Sequence, residues 1–262
     1  MDALPGFSER LRRLAELRGL GAGALAERAG VAEAELARDP DPDLLRRLAP
    51  ALGLHRSDLF LAAGLPLPDD LSPLDPAGSR HAVDSLAWSL TYLPRIAREL
   101  LELARSLPQQ PRPPRTPEPE PPHQQYPHGP GGLILRLLRN RNLTVIGATK
   151  LLYGVGRGPM LSYSTVNLIG KGQNTLTPEL LAGLGAVLDI TLPDLGALTG
   201  IDVTDVGVRA HPEAAEAAEL LWEARRLTVA QVEQLKERAH AVRHEDGDRV
   251  EPNLRCRCPG PS

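Results

Sequence analysis

Six cations and no carboxylate lie between residues 131 and 178: Arg136, Arg139, Arg141, Lys150, Arg157 and Lys171, in a chain of 262 residues with net charge −3. A cationic run in an otherwise acidic chain gives a focused positive field of the kind that polyphosphate ligands seek. Within it, Ser162, Tyr163, Ser164, Thr165 and Asn167 supply hydroxyl and amide groups. Such groups both donate and accept hydrogen bonds. Phosphate contacts from Arg139, Arg157 and Lys171, with base-edge contacts from the 162–167 group, are the chemistry this combination can do. A solvated basic face with no partner is the plainer alternative, and charge alone does not separate the two.

Other chemistry is poorly represented. Cys256 and Cys258 form a Cys-Arg-Cys, too close for an unstrained disulfide and lacking the second ligand pair of a zinc site. His240 and His244 stand one helical turn apart without a carboxylate cluster, and the other histidines are scattered. Gly154-x-Gly156-x-Gly158 has the glycines of a nucleotide loop, but no strand precedes it. No nucleophile with its base and no paired carboxylates are visible. The expectation is therefore a non-enzyme with no cofactor and no metal.

The elements that must position the polar group are short helices. Ser162 or Ser164 can cap one, Val166 and Ile169 share a face, and Gly170 and Gly172 punctuate its end. Thr177 and Pro178 open the next, whose apolar positions Leu180, Leu181, Leu184, Val187 and Leu188 repeat at helical spacing. Upstream, Leu133 to Arg141 and Thr144 to Leu152 read as two more helices, the latter capped by Thr144. A short polar helix presented this way fits a major groove.

The run Ser164-Thr-Val-Asn-Leu-Ile-Gly-Lys-Gly172, followed by Leu176-Thr-Pro-Glu-Leu-Leu181 and the helix ending in Leu188-Asp-Ile190, resembles the second half of a lambda-repressor-like, XRE-type helix-turn-helix domain. The resemblance covers residues 131–201. It implies that 162–170 is a recognition helix, that Arg139, Arg157, Ser162, Tyr163, Ser164, Thr165, Asn167 and Lys171 face DNA, and that the protein is a bacterial transcriptional regulator. One departure is Tyr153-Gly-Val-Gly-Arg-Gly-Pro-Met160, where the family has a turn of about four residues. Its glycines and Arg157 form a backbone-rich segment able to approach phosphates.

The N-terminus repeats the theme. Leu11, Leu14 and Leu17, then Leu25-Ala26-Glu-Arg-Ala29-Gly30-Val31, resemble the start of a second domain of this family over residues 1–68. Its reading element is altered: Glu33, Glu35, Asp39, Asp41 and Asp43 lie where cations would serve phosphate, and Pro40 and Pro42 cut the helix short. Residues 1–65 hold nine arginines against ten acids. This half is expected to pack, dimerise or hold a protein partner more than read bases, with weak DNA contact through Arg10, Arg12, Arg13 and Arg28 as the opposite case.

Between the halves, residues 80–107 carry an amphipathic stripe interrupted at Pro94, expected to pack under the first half. Ten prolines in 108–130 predict an extended, disordered linker. Residues 208–245 read as a helical hairpin, with Thr228-x-x-Gln231 in capping-box form, that packs on the second half or pairs with a second copy. A flexible tail, 246–262, follows.

The fold class expected is thus all-α: two lambda-repressor-like domains joined by a helix and a proline-rich linker, plus a C-terminal hairpin. The partner expected is double-stranded DNA, with a homodimer left open. Neither a signal peptide nor a membrane span is visible, so a cytoplasmic protein is expected. The alternative is a helical scaffold or antitoxin-like module that binds a protein partner.

Overall fold

Thr144, Ser162, Thr177 and Thr191 each end an extended stretch and start a helix. Their hydroxyls accept from the backbone N–H groups of Ile146 and Gly147, of Thr165, of Leu180 and of Asp194 respectively, meeting donors that the helix itself leaves unpaired. The computed structural model describes residues 4–75, 78–112, 125–207 and 209–246, with side chains described up to residue 243. Within them the chain is all-helical: α1 (Phe7–Glu16), α2 (Ala22–Ala29), α3 (Pro42–Ala51), α4 (Arg56–Ala63), α5 (Ser79–Tyr92), α6 (Ala97–Ser106), α7 (Pro130–Arg139), α8 (Val145–Gly154), α9 (Tyr163–Gly170), α10 (Pro178–Leu188), α11 (Leu192–Thr199), α12 (Ala214–Ala224) and α13 (Val229–Asp246). No strand occurs among the described residues.

Two stretches follow one pattern. In the first, α1 and α2 lead to a 3-10 turn, Glu33–Ala37, then α3 and α4; in the second, α7 and α8 lead to α9, then α10 and α11. Leu14-Ala-Glu-Leu-Arg18-Gly19-Leu20 corresponds to Leu137-Leu-Arg-Asn-Arg141-Asn142-Leu143. Gly19 and Asn142 both adopt the left-handed conformation, with φ of 65° and 57°, a region that glycine enters freely and asparagine tolerates. Asp58-Leu59 with Gly64 behind it corresponds to Asp194-Leu195 with Gly200 behind it.

The copies pack on each other reciprocally. Helix α1 of the first lies on α11 of the second, and α7 of the second lies on α4 of the first. Arg18 makes a two-pronged bond to Asp194, at 2.7 and 3.2 Å. Arg141 makes the same bond to Asp58, at 3.1 and 2.9 Å. Each arginine also donates to the carbonyl four residues back, Leu14 and Leu137 respectively. Pro5 lies against Gly200, and His128 against Gly64. This exchange of equivalent contacts is that of an isologous dimer, built here within one chain.

The two halves therefore do not hang apart on a linker, as the sequence suggests. One connected set of buried side chains runs from Leu11 to Val242. The helix expected to pack under the first half instead lies mainly across the second: α5 packs on α8 and on α13, while α6 packs on α12. Pro94 does break it, leaving a 3-10 turn at Pro94–Ile96 between α5 and α6. The two helices expected to form a hairpin, α12 and α13, pack on α5, α6 and α10 and not chiefly on each other, so their apolar stripes are already covered and are not free for a second copy. Thr228 and Gln231 form the expected cap, with Gln231 Oε1 accepting from the Thr228 N–H at 3.0 Å.

Both ends of the proline-rich segment are docked. Arg112 donates to the carbonyls of Ser72 and Pro73, each at 2.8 Å, and Gln231 donates to the Pro108 carbonyl. Tyr126 packs beside α9. Residues 113–124, and the tail with Cys256 and Cys258, lie outside the described residues.

Candidate nucleic-acid interface

Helix α9 is two turns long because Ser162 caps its start, and Gly170 ends it with Gly172 in the left-handed conformation two residues on. The Ser162 hydroxyl accepts from Thr165 N–H at 3.1 Å and contacts Thr165 Oγ1 at 2.9 Å, so both hydroxyls are engaged in holding the helix start. Val166 and Ile169 are buried, seating the helix on α7 and α8. A β-carbon at Gly131 of α7 would lie 2.0 Å from the Ile169 carbonyl oxygen, so glycine there sets how closely α9 approaches.

What α9 leaves outside is polar with two larger groups: Ser162, Tyr163 and Ser164 are exposed, as is Leu168. Asn167 is half-buried, and its Oδ1 accepts from the Tyr126 hydroxyl at 2.9 Å, leaving the amide nitrogen without a partner among the described residues. Sequence reasoning missed Tyr126; an aromatic in a proline-rich run gives no sign of the helix it will touch. Arg139 and Tyr163 come together, lining one small groove with Thr144. Lys171 is half-buried at the end of α9.

Arg157 is exposed, at φ 52°. The insertion that carries it is packed down. A β-carbon at Gly156 would sit 2.4 Å from the Gly183 carbonyl oxygen of α10, and Gly156 and Gly158 donate to the carbonyls of Leu151 and Leu152. These glycines let two backbones meet, so the segment is held against α10.

The cationic field is smaller than the composition implies. Arg141 is buried with its side chain only 1% exposed, paired to Asp58 and donating to the Leu137 and Leu188 carbonyls. Arg136 donates to the Tyr126 and Pro127 carbonyls. The Lys150 ammonium sits 4.3 Å from the centre of the Trp88 ring, a cation–π contact at the surface. A carboxylate also enters from outside the acid-free run. Asp84 of α5 accepts from the Thr144 N–H at 3.0 Å and from the Thr144 hydroxyl, placing its charge at the N-terminus of α8. Burial holds the Asp84 pKa above the usual carboxylate value, against the pull of the two Thr144 hydrogen bonds.

In the first copy the element equivalent to α9 is the 3-10 turn Glu33–Ala37, with no buried residue. Its acids are partly structural: Glu35 accepts from Ala32 N–H and pairs with Arg47, and Asp41 caps α3 by accepting from Asp43 and Leu44 N–H groups. Of the arginines that could serve DNA here, Arg10 is buried and donates to the Ala62 carbonyl, and Arg12 and Arg13 pair with Glu9.

Among the described residues no group of three His, Cys, Asp or Glu side chains could hold a metal ion, and no single helix is long and apolar enough to cross a membrane. No protein-family model matches the sequence, and neither curated proteins nor solved structures match it.

Proposed function

We propose that the chain is a sequence-specific DNA-binding transcriptional regulator, in which α1–α4 and α7–α11 are two lambda-repressor-like units and only the second reads bases. The observation that carries this reading is α9: a capped helix with Ser162, Tyr163 and Ser164 outward, in a run without a carboxylate from 131 to 178. Base edges meet Tyr163, Ser164 and the Asn167 amide; phosphates meet Arg139, Arg157 and Lys171. The first unit, with its acidic 3-10 turn, keeps the partner position of a two-fold pair without a reading helix. Binding is therefore to one half-site.

The test is a salt titration of duplex-DNA binding by the full chain. If the three cations each meet a phosphate, log K falls against log salt with a slope of about −3. No binding at low salt overturns the reading. That result would favour the second one, a helical scaffold for a protein partner, which is supported by the acidic turn of the first unit.

A further inference from the structure

A cleft of about 620 Å³ opens where α4, the 69–74 segment, the start of the proline-rich run and the α12–α13 turn meet. That volume is of the size that holds small molecules, ~300–1,000 Å³. Its lining includes Arg56, Arg112, Arg225 and Arg226. Glu223 pairs with Arg226, and Asp70 pairs with Arg46, so both carboxylates of the lining are spent. Among the described residues the other three guanidiniums touch no carboxylate. Arg112 donates to the Ser72 and Pro73 carbonyls. Arg225 donates to the Leu71 carbonyl at 2.6 Å and to Asn140 Oδ1 at 2.8 Å. Arg56 is exposed at the first position of α4, with no acidic partner among the described residues.

Several further features suit an anion with an organic body. The start of α4, which carries Arg56, has no side-chain cap, and helix N-termini favour negative charge. Trp222 forms a rigid wall, with the His55 ring stacked 3.4 Å away and Arg225 over it at 4.0 Å. Pro50, Leu54 and Leu74 supply apolar surface. Burial first, then the charges of Arg141 and Arg112, bring the Arg225 pKa down to about 10 despite the opposing pull of Asp58. The cleft therefore holds more positive charge than its own residues neutralise.

We infer that this cleft binds a small phosphate-bearing molecule, with Arg56, Arg112 and Arg225 gripping the phosphate. Arg56 presents a planar fork of the kind that matches phosphate oxygens in pairs, while Arg112 and Arg225, whose forks already bond protein oxygens, add charge and single N–H groups. A duplex cannot enter a concavity of this size, so the site is distinct from the face of α9. Arg225 also touches Asn140 at the end of α7, which places the ligand one residue contact from the second copy.

The experiment is isothermal titration calorimetry of the full chain without DNA, using pyrophosphate, inorganic phosphate and citrate. Pyrophosphate is expected to bind saturably at one site per chain, more tightly than citrate, and Arg56→Ala and Arg112→Gln each to weaken it by about tenfold. Arg56 holds no acidic partner among the described residues, so Arg56→Ala is expected to keep the wild-type melting temperature; Arg112→Gln gives up the bonds to the Ser72 and Pro73 carbonyls, so its affinity is read at a temperature where circular dichroism shows it folded. No saturable pyrophosphate binding overturns the proposal. So does an affinity unchanged in both folded variants, or citrate binding as tightly as pyrophosphate. Because DNA is absent, the outcome is independent of whether α9 reads a duplex.

Discussion

Arg141 reaches across from the end of α7 to Asp58 in α4 and holds it with two hydrogen bonds, while both side chains are almost wholly out of water. The equivalent pair, Arg18 with Asp194, has the same geometry but stands nearer the surface, with Arg18 20% exposed. One interaction is thus present twice in one chain under two dielectric conditions.

Removing Asp58 leaves a buried guanidinium without its counter-charge. Asp58→Ala is expected to cost about 3–5 kcal/mol in urea denaturation of the full chain, whereas Asp194→Ala should cost about 1–2 kcal/mol, since water can still reach Arg18. Equal losses at the two sites would contradict the burial difference.

Asp84 gives a pH dependence of unusual sign. Its folded pKa lies above 3.8 because of burial, so the folded state binds the proton more tightly than the unfolded chain does. Its contribution to stability is present at low pH and is lost as pH rises through the folded pKa. Asp84→Asn, which keeps an acceptor for the Thr144 N–H, is expected to raise the melting temperature at neutral pH. The gain should vanish as pH falls towards 3.8; a gain that does not depend on pH would assign the effect to something other than titration.

Gly131→Ala tests whether α9 is set by its contact with α7. The added methyl meets the Ile169 carbonyl, an overpacking expected to cost about 1–3 kcal/mol. On the DNA reading, affinity for duplex should fall in the same variant under conditions where it remains folded, since α9 must move. Wild-type stability would show that the two helices can separate without loss.

On the DNA reading, Lys171→Ala should weaken binding to all sequences alike and make the salt slope shallower by about 1. Asn167→Ala should lower the preference for the cognate site and leave the salt slope unchanged. Matching behaviour of the two variants would remove the distinction between positioning and reading.

The helices around α9 were legible because their signals are local. Ser162, Thr177-Pro178 and Thr144 mark helix starts within three residues of the groups they cap, and the apolar spacing of 180–188 follows from one face being buried. The destination of a charge is not local. Arg141 adds to the basic run in sequence, yet its charge is met by Asp58, 83 residues earlier. The same holds for Asp84 at the start of α8, and for Tyr126 against Asn167. Whether a cation faces solvent is decided by packing between elements, and nothing within a few residues of Arg141 distinguishes it from Arg139. The docking of α5 on α8 was hidden for the same reason, since an apolar stripe states that it must be covered and not by what.

The reciprocal contacts of the two copies also bear on how such a molecule behaves in a cell. A pair of separate chains falls apart on dilution and reassembles as expression rises, so its output follows the square of abundance at low copy number. Here the second half is tethered to the first at an effective concentration that no dilution lowers. Assembly of the two copies is complete in every folded molecule and does not depend on the amount of protein. A fused pair is also released from self-complementarity: a substitution in one half is not imposed on the other, which leaves each free to take on a separate task.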